Sequence, residues 1–414
     1  MNEPSSEPSS ESASAPSSGS ASAASVTIDE QAAIDRYLDL TAIAGKSREE
    51  GTVADRIQSR LRELDMPGLS WQLDHAGDQT DPTGEVGNLI VSIDGDESKP
   101  RTMLSAHMDT VPICVGCDPV VQGDEVVSRD PNTGLGADDR SGCAAILSAI
   151  VERSRRDDAA TLPPAVVTFL VQEEIGLRGA RHLDASKVGR VDRAFNFDGG
   201  APEKITIGAI GGQRMSIRVH GVPSHAGVAP ENGVSAIVIA SRAIADLATR
   251  GWLGLVIQGD QKGTANVGVF HGGEATNVIT PEVHLRAEAR SHDGEFREQI
   301  VQTIRNAFES AAAAETNRGG TCGTIEFESQ VDYEAFRLAD DHPSIAAASE
   351  AIRMVGREPR TEVGNGGLDA NWLFNHGIEA VTLGCGQKNI HTADERLVIA
   401  EYLDACRIAT SLIV

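Results

Sequence analysis

The spacing of apolar residues predicts alternating strands and helices in the first half of the chain. Runs that are apolar almost without a break predict buried strands at 88–93, 102–106, 165–171 and 194–197. Apolar residues at helical spacing predict helices at 28–44, 52–64 and 141–153. Such strands, separated by helices, are typical of a sheet with helices on both faces. We therefore predict an α/β fold whose chemistry lies at strand ends and in the loops that follow them.

The pattern changes between residues 213 and 335, where strands alternate apolar with polar positions. Strands are predicted at 215–220, 265–270, 284–289 and 325–331, and helices at 233–247 and 295–314. This segment predicts an inserted α+β domain with two helices backing its sheet. The first pattern then returns, with helices at 344–355, 369–375 and 400–413 and a strand at 378–384. We therefore predict a catalytic domain split between residues 26–212 and 336–414.

Composition adds a tail and excludes two classes of partner. Residues 1–25 are rich in serine with small or acidic companions, which predicts a disordered tail. The chain has 36 Lys and Arg against 61 Asp and Glu, a net charge of −25, and this argues against a nucleic-acid or anionic-membrane surface. No apolar run approaches about 18 residues, and no basic segment leads into one at the N-terminus. We therefore expect a cytoplasmic protein without a membrane span.

The six cysteines are too sparse for a disulfide framework in a chain of 414 residues. Cys114 and Cys117 form a C-x-x-C pair, but no second Cys/His pair lies at zinc-finger spacing. We expect free thiols in a loop, with a structural zinc site as the alternative.

The first candidate for chemistry is the pair His107 and Asp109, directly after the strand predicted at 102–106. In extended backbone, residues i and i+2 project from the same face, so the carboxylate is within reach of the imidazole ring. A carboxylate that holds the second ring nitrogen is typical of a metal-ligating histidine. The pair alone is weak evidence, because most histidines near strand ends are only hydrogen-bonded or exposed.

Further acidic and histidine residues follow other predicted strands and turns. They are Asp138 and Asp139 in GLGADDRSG, Glu173 and Glu174 in VQEEIG, Asp198 in FNFDGG, and His391 in NIHTADER. Two histidines and three or four carboxylates suit two zinc ions that share a carboxylate and a water molecule. Because neighbouring side chains in extended chain point to opposite faces, one of the two glutamates can ligate while the other moves protons.

Each of these segments also has an ordinary structural interpretation. An Asp-Asp pair before a helix is commonly a cap, Glu-Glu after a strand is commonly solvated, and Asp-Gly-Gly is commonly a turn. Their joint placement at the ends of consecutive strands is what favours the metal site.

At these residues the sequence resembles the peptidase T and carboxypeptidase family of dizinc amidohydrolases, which also holds aminoacylases and succinyl-diaminopimelate desuccinylase. The resemblance covers about residues 26–414 and rests on SAHMDTV, GADDRSG, QEEIG, FDGG and IHTADE, in order and spacing. It is greatest toward the peptidase T-like branch, through EEIGLRGA, EARSHD and GGLDAN. It implies a zinc-peptidase-like sheet with an inserted lid and dimerisation domain.

The resemblance also implies a ligand set for two zinc ions per subunit, with other divalent metals as alternatives. One ion would be bound by His107 and Asp198, the other by Glu174 and His391, and Asp138 would bridge the two.

The remaining roles are implied in the same way. Asp109 would orient His107, and Glu173 would be the general base that carries a proton from water to the leaving amine. In the lid, His225 would help to hold the scissile carbonyl oxygen, often across a homodimer interface. Asn277 and Arg290 would contact the backbone and carboxylate of the substrate.

Three functions remain open from the sequence. The first is a zinc aminopeptidase that releases the N-terminal residue of short peptides, in particular tripeptides. The second is a dizinc enzyme that hydrolyses N-acyl amino acids or removes C-terminal residues. The third is a peptide-binding protein without turnover, which the presence of all five ligands and the base argues against.

Overall fold

The structure is a computed structural model that describes residues 26–414, so the tail predicted at residues 1–25 lies outside the described residues. Its helices, in chain order, are α1 Glu30–Thr41, α2 Gly51–Arg62, α3 Ala137–Ser154, α4 Arg178–Arg181, α5 Ala185–Val188, α6 Ala236–Thr249, α7 Gly294–Ala314, α8 Pro343–Met354, α9 Asp369–Asn375 and α10 Ile399–Ile413. Its strands are β1 Leu69–Leu73, β2 Leu89–Ile93, β3 Thr102–His107, β4 Pro119–Gln122, β5 Glu125–Ser128, β6 Ala165–Leu170, β7 Arg193–Phe197, β8 Lys204–Ala209, β9 Gly211–His220, β10 Gly254–Gln258, β11 Gln261–Gly272, β12 Glu282–Ser291, β13 Thr324–Tyr333, β14 Phe336–Arg337, β15 Arg360–Gly364, β16 Ala380–Leu383, β17 Gln387–Lys388 and β18 Arg396–Val398.

The main sheet has nine strands within residues 26–414, in the order β1-β2-β6-β3-β7-β16-β8-β14, with β15 also paired to β8. Its central strands β6, β3, β7 and β16 run parallel. Every residue of β3 and β6 is buried, which is why their sequences are apolar without alternation. Helices α3, α8 and α10 pack together and against the central strands, while α9 packs with α4 and against β8 and β16. The predicted α/β sheet with helices on both faces is confirmed.

Strand β16 lies in the middle of this sheet although it comes late in the chain. It pairs in parallel with β7 and antiparallel with β8. The helix that follows it at the end of the chain, α10, packs against α3 and α1. The main sheet is therefore completed by the C-terminal segment.

A second module, which we call the inserted module (residues 211–333), lies between β8 and β14. Its five strands form an antiparallel sheet in the order β10-β11-β12-β9-β13, on which α6 and α7 pack. Helix α7 begins after Asp293, whose carboxylate accepts hydrogen bonds from the N–H groups of Glu295 and Phe296. The module has a hydrophobic cluster of its own, separate from that of the main sheet. The boundaries predicted at 212/213 and 335/336 stay a prediction, with which the separate clusters agree.

The sequence pattern did not predict the short or half-exposed elements. Strands β4, β5, β17 and β18 form a small four-stranded sheet. Each has only two to four residues, so apolar and polar positions cannot alternate visibly along it. The edge strand β1 is mostly exposed, and α4 and α5 have four residues each. Elements of this length contain too few residues to show a period. Among residues 26–414, every helix is too short or too polar to cross a membrane.

Candidate metal centre and active site

His107 ends β3 at the centre of the main sheet and is 1% exposed. Its Nε2 atom lies 3.0 Å from Oδ1 of Asp138. Its Nδ1 atom lies 3.0 Å from the backbone oxygen of Asp109 and 3.4 Å from the carboxylate oxygen Oδ1 of the same residue. One ring nitrogen is thus held in place by Asp109, as the i, i+2 spacing predicts, and the other faces the remaining candidates.

Asp138 places its carboxylate between two imidazole rings. Gly136 has a φ of +79°, and Asp138 and Asp139 keep non-helical backbone angles, so the chain turns here before α3 becomes regular. Oδ1 of Asp138 faces His107, and its Oδ2 lies 3.2 Å from Nε2 of His391. A carboxylate that presents one oxygen to each of two histidines is the arrangement required of a bridging ligand.

The other two predicted ligands lie beside this pair. His391 lies between β17 and β18, and its Nε2 is 3.0 Å from the Glu174 carboxylate. Asp198 follows β7, and its Oδ1 is 3.9 Å from Nε2 of His107. The structure therefore brings together all five residues that the sequence analysis named as metal ligands, from five separate segments of the chain.

The pKa values of the ligand candidates are shifted in the directions expected for a site that favours cations. Although burial acts to lower it, hydrogen bonds with Asp109 and Asp138 raise the pKa of His107 well above its usual value. Hydrogen bonds with Asp138 and Glu174 raise the pKa of His391 to about 10. Burial, followed by the charge of Asp138, raises the pKa of Asp198 to about 7. The carboxylates therefore favour positive charge at this site, and metal cations bound to the same nitrogen and oxygen atoms would supply it.

The donor atoms also fit divalent metals by type and separation. Two groups of three potential ligands each have their donor atoms within 4.8 Å of one another: His107, Asp138 and Glu174, and His107, Asp139 and Asp198. Imidazole nitrogen and carboxylate oxygen suit zinc and related divalent ions. The second group contains Asp139, which the sequence analysis had not assigned as a ligand.

The Asp139 carboxylate is held by hydrogen bonds that fix the metal-binding loops. Its Oδ2 accepts from the backbone N–H of His107 at 3.1 Å. Its Oδ1 accepts from the N–H of Gly142 at 3.1 Å and from the side-chain amide of Gln387 at 2.9 Å. These bonds connect β3, α3 and β17 behind the cluster, and thus Asp139 acts as a positioning residue in this structure.

Glu173 and Glu174 lie in the turn that follows β6, and both face one cavity, so the opposite orientation expected of neighbours in extended chain stays a prediction. Gln172, just before them, has a φ of +55°, which turns the chain out of β6. Burial raises the pKa of Glu173 well above its usual value, and the charges of Asp369 and Asp198 add to this against the opposite effect of His107. A carboxyl with a raised pKa beside the candidate metal ligands has the properties of a general base that later acts as an acid.

A cavity of about 680 Å³ opens over the cluster. Its wall includes Glu173, the metal-ligand candidates Asp138, Glu174, Asp198 and His391, and the glycines Gly366 and Gly367. The inserted module contributes Arg290, Arg214 and Tyr333. Arg290 forms two hydrogen bonds to Glu288 on the same strand, at 3.1 Å each. The cavity is therefore shared between the main sheet and the inserted module.

His225 and Asn277, the other two predicted substrate contacts, do not line this cavity. They lie close together on the inserted module, where the N–H of Ala226 donates to the backbone oxygen of Asn277 at 2.9 Å. Nδ1 of His225 accepts from the N–H of Gly227 at 3.1 Å. Within one chain, Arg290 therefore lines the same cavity as the metal-ligand candidates, whereas His225 and Asn277 do not.

Two functional positions were missed by the sequence analysis. Glu395 is 2% exposed and accepts hydrogen bonds from the N–H of Gly136 at 2.7 Å and of Asp138 at 3.1 Å. Its position four residues after His391, in IHTADE, is the signal that could have found it. Asp369 is fully buried, and within residues 26–414 neither of its carboxylate oxygens has a hydrogen-bond partner.

The C-x-x-C pair lies beside Glu395, the residue that holds the backbone of the Asp138 turn. Cys114 and Cys117 are free thiols, as predicted, but both are buried. The Cys114 thiol donates to Glu395 at 3.4 Å, and burial, together with that carboxylate, holds the pKa of Cys114 far above its usual value. Among residues 26–414, neither thiol belongs to a group of three potential ligands close enough to share a metal ion, which disfavours the structural zinc alternative.

Comparison with known proteins gives consistent results. The profile of Peptidase family M20/M25/M40 matches residues 103–414. The chain is 34% identical over 390 residues to the uncharacterized protein YqjE of Bacillus subtilis, covering 93% of this chain and 98% of that protein. It is 31% identical to a tripeptidase from Staphylococcus aureus, with a TM-score of 0.83 over 93% of this chain and 98% of the other. It is 30% identical to the aminopeptidase PepT from Bacillus cereus, with a TM-score of 0.80 and the same coverage.

Proposed function

Because this chain belongs to peptidase family M20/M25/M40, we propose that it is a dinuclear zinc aminopeptidase that releases the N-terminal residue of short peptides, in particular tripeptides. The observation that carries the proposal is the Asp138 carboxylate, which lies between His107 and His391 and lines the same cavity as Glu173. The similar solved structures of a tripeptidase and of an aminopeptidase support the choice of substrate.

The five ligand candidates would hold the two metal ions as the resemblance implies, with His107 and Asp198 on one, Glu174 and His391 on the other, and Asp138 shared. When bound, two such ions supply positive charge that lowers the pKa of a water molecule and polarises the scissile carbonyl group. Asp109 and Asp139 keep His107 and its loop in position through the hydrogen bonds described above.

Glu173 would perform the proton transfers of the reaction. Its raised pKa lets it accept a proton from the attacking water and then give that proton to the nitrogen of the leaving peptide. The backbone N–H groups of Glu173 and Glu174 both donate to Asp109, so the base and one ligand candidate are fixed by the same carboxylate. This arrangement holds the base at a constant distance from the cluster.

The inserted module would hold the substrate over the metals. Arg290 lines the cavity and carries a guanidinium group that fits a peptide carboxylate in a bidentate manner. His225 lies outside the cavity of its own chain, so we propose that it reaches the site of a second subunit in a homodimer. Exposed apolar side chains on this module, Val228, Val278 and Phe270, support an interface there.

The test is release of the N-terminal residue from a free tripeptide, its N-acetylated form, a dipeptide and an N-acetyl amino acid, with zinc-loaded protein. Cleavage of the free tripeptide but not of its acetylated form is the expected result. Cleavage of the acetylated substrates instead would overturn the aminopeptidase assignment in favour of an acylase or carboxypeptidase. Parallel loading with manganese and cobalt identifies the metal that supports the greatest activity.

A further inference from the structure

A second cavity, of about 460 Å³, adjoins the one over the metal cluster and is lined by several arginines. We call it the arginine cavity; its wall includes Arg178, Arg181 and Arg214. Gly176 and Arg214 line both cavities, so the two are neighbours that share a wall. In a chain with a net charge of −25, three guanidinium groups around one cavity are a local reversal of charge.

The arginines reach this cavity from two different parts of the fold. Arg178 and Arg181 begin and end α4, which follows directly after the Glu173–Glu174 loop. Arg214 lies on β9 of the inserted module. The cavity is thus formed where the main sheet and the inserted module meet, on the same side as the reaction cavity.

Two of the three positive charges have uncharged contacts. Arg178 donates to the backbone oxygen of Asp81 at 2.9 Å. The Arg181 guanidinium lies over the ring of Trp372, 5.2 Å from its centroid. Neither contact neutralises the charge, whereas Arg214 is paired with Asp332 at 3.0 Å. Arg178 and Arg181 therefore keep charge that an incoming anion can use.

The pKa values of Arg178 and His182 indicate a positive electrostatic potential in this cavity. Burial lowers the pKa of Arg178, and the guanidinium groups of Arg48 and Arg214 lower it further. Burial lowers the pKa of His182, and the charges of Arg181 and Arg178 act in the same direction. Asp81 and Asp332 also line the cavity and offset part of the charge. Even so, the lowered pKa values of Arg178 and His182 show that the electrostatic potential around α4 is positive.

We propose that the arginine cavity is a subsite for a side-chain carboxylate of the peptide substrate, so that acidic peptides are preferred over neutral ones. The inference rests on the proposed peptidase function. In that function Arg290 binds the terminal carboxylate of the peptide in the cavity over the metal-ligand candidates. The arginine cavity, which shares Gly176 and Arg214 with that cavity, binds a second anionic group of the same peptide. Arg178 and Arg181 present forked donors that suit a carboxylate.

The experiment compares kcat/KM for alanine tripeptides that carry either glutamate or glutamine at the first, second or third position. Glutamate and glutamine have the same shape, so their ratio isolates the charge. With metal-loaded wild-type enzyme we expect the glutamate peptide to be preferred about ten-fold or more at one or more positions, the value of one charge-assisted hydrogen bond. The preference should shrink at high salt.

The variants Arg178→Gln and Arg181→Gln should each reduce this glutamate-to-glutamine ratio, and Arg181→Lys should retain part of it. Arg190→Gln is the matched control, because Arg190 is an exposed arginine paired with Asp192 outside the cavity. Its ratio should equal that of the wild type. Calorimetric binding of the same peptides to Glu173→Gln repeats the comparison without turnover.

The outcomes separate this inference from the proposed function. Cleavage of all the tripeptides with a ratio near one at every position would overturn the arginine subsite and leave the peptidase intact. A preference that persists in both arginine variants would also overturn it. Absence of cleavage of any tripeptide by metal-loaded enzyme would overturn the proposed function itself, while the binding comparison would still decide whether the cavity selects a carboxylate.

Discussion

The carboxylate of Asp109 accepts a hydrogen bond from the backbone N–H of Glu173, with 3.0 Å between Oδ1 and the nitrogen. Its Oδ2 accepts from the N–H of Glu174 at 3.2 Å and from the hydroxyl of Ser47 at 2.6 Å. The residue expected to orient His107 thus also fixes the loop that carries the candidate base. Its role is wider than the i, i+2 spacing alone predicts.

We expect Asp109→Ala to weaken both metal binding and folding. Loss of a carboxylate behind a metal-ligating histidine typically weakens metal affinity by about 10- to 100-fold. The three donors left without an acceptor are part-buried, so each costs at most about 1–3 kcal/mol. Metal content by mass spectrometry and urea unfolding measure the two effects. Asp96→Ala, which removes an exposed carboxylate that accepts from Ser98, is the control. Wild-type metal content and stability in Asp109→Ala would refute this double role.

Glu173→Gln should lower turnover by several orders of magnitude and keep the metals. General acid–base catalysis contributes about 10²- to 10⁴-fold, so kcat should fall by that factor while metal content is unchanged. The neighbouring substitution Glu174→Gln is a matched control, since it should lower metal content as well as activity. Both variants are compared by steady-state kinetics and metal analysis. If Glu173→Gln cleaves tripeptides at the wild-type rate, Glu173 is not the base.

Glu50 should make the protein less stable at higher pH. This buried carboxylate accepts hydrogen bonds from the N–H groups of Arg48 at 2.9 Å and Gln172 at 3.0 Å. Burial, and then the charge of Asp109, raises its pKa from 4.5 to about 7. A raised folded-state pKa contributes stability that is complete below the unfolded value and is lost as pH rises through about 7.

The variant Glu50→Gln removes this titration and keeps an oxygen that can accept both hydrogen bonds. Its stability relative to wild type should therefore increase between about pH 5 and about pH 8, by on the order of 3 kcal/mol at most. Urea unfolding of both proteins at the two pH values gives the difference, in which the other titrating groups cancel. An equal pH dependence in the two proteins would show that Glu50 is ionised in the folded state throughout.

His225 should act on the site of the other subunit. His225→Asn and Glu173→Gln should each have low activity alone. After subunits are exchanged in an equal mixture, about a quarter of the sites combine an intact Glu173 with an intact partner histidine, and activity should recover to about that fraction. Gel filtration and tagged subunits establish that a dimer forms and exchanges. Recovery that fails despite exchange would assign His225 to its own subunit.

The parts of the fold that the sequence predicted are those with a long period or full burial. Strands β3 and β6 and helices α3 and α7 have enough residues for the pattern to appear, and they place His107 and the Glu173–Glu174 pair. The resemblance to the peptidase T-like branch, read from five short segments, is confirmed by the family match and the similar structures.

What the sequence could not predict depends on contacts between distant residues. Glu395 accepts a hydrogen bond from the N–H of Asp138, 257 positions earlier. Its place four residues after His391 could have indicated a role, but not which distant backbone group it contacts. The same is true of the arginine cavity, since Arg214 and Arg178 meet only once the inserted module is folded against the main sheet. The metal-ligand candidates were predictable because most of them end or follow strands whose ends meet at one edge of the main sheet. Glu395, which hydrogen-bonds to one of them, does not follow any of these strands.

The central position of β16 has a consequence for biosynthesis. A ribosome synthesises residues 380–414 after the other strands of the main sheet, yet they supply a middle strand of that sheet, the loop of His391 and the helix that packs on α3. During translation the nascent chain therefore cannot complete the main sheet until residues 380–414 have been synthesised. A stop codon just before residue 380 would therefore yield a chain that lacks both a middle strand of its main sheet and the candidate ligand His391, rather than a partly active enzyme.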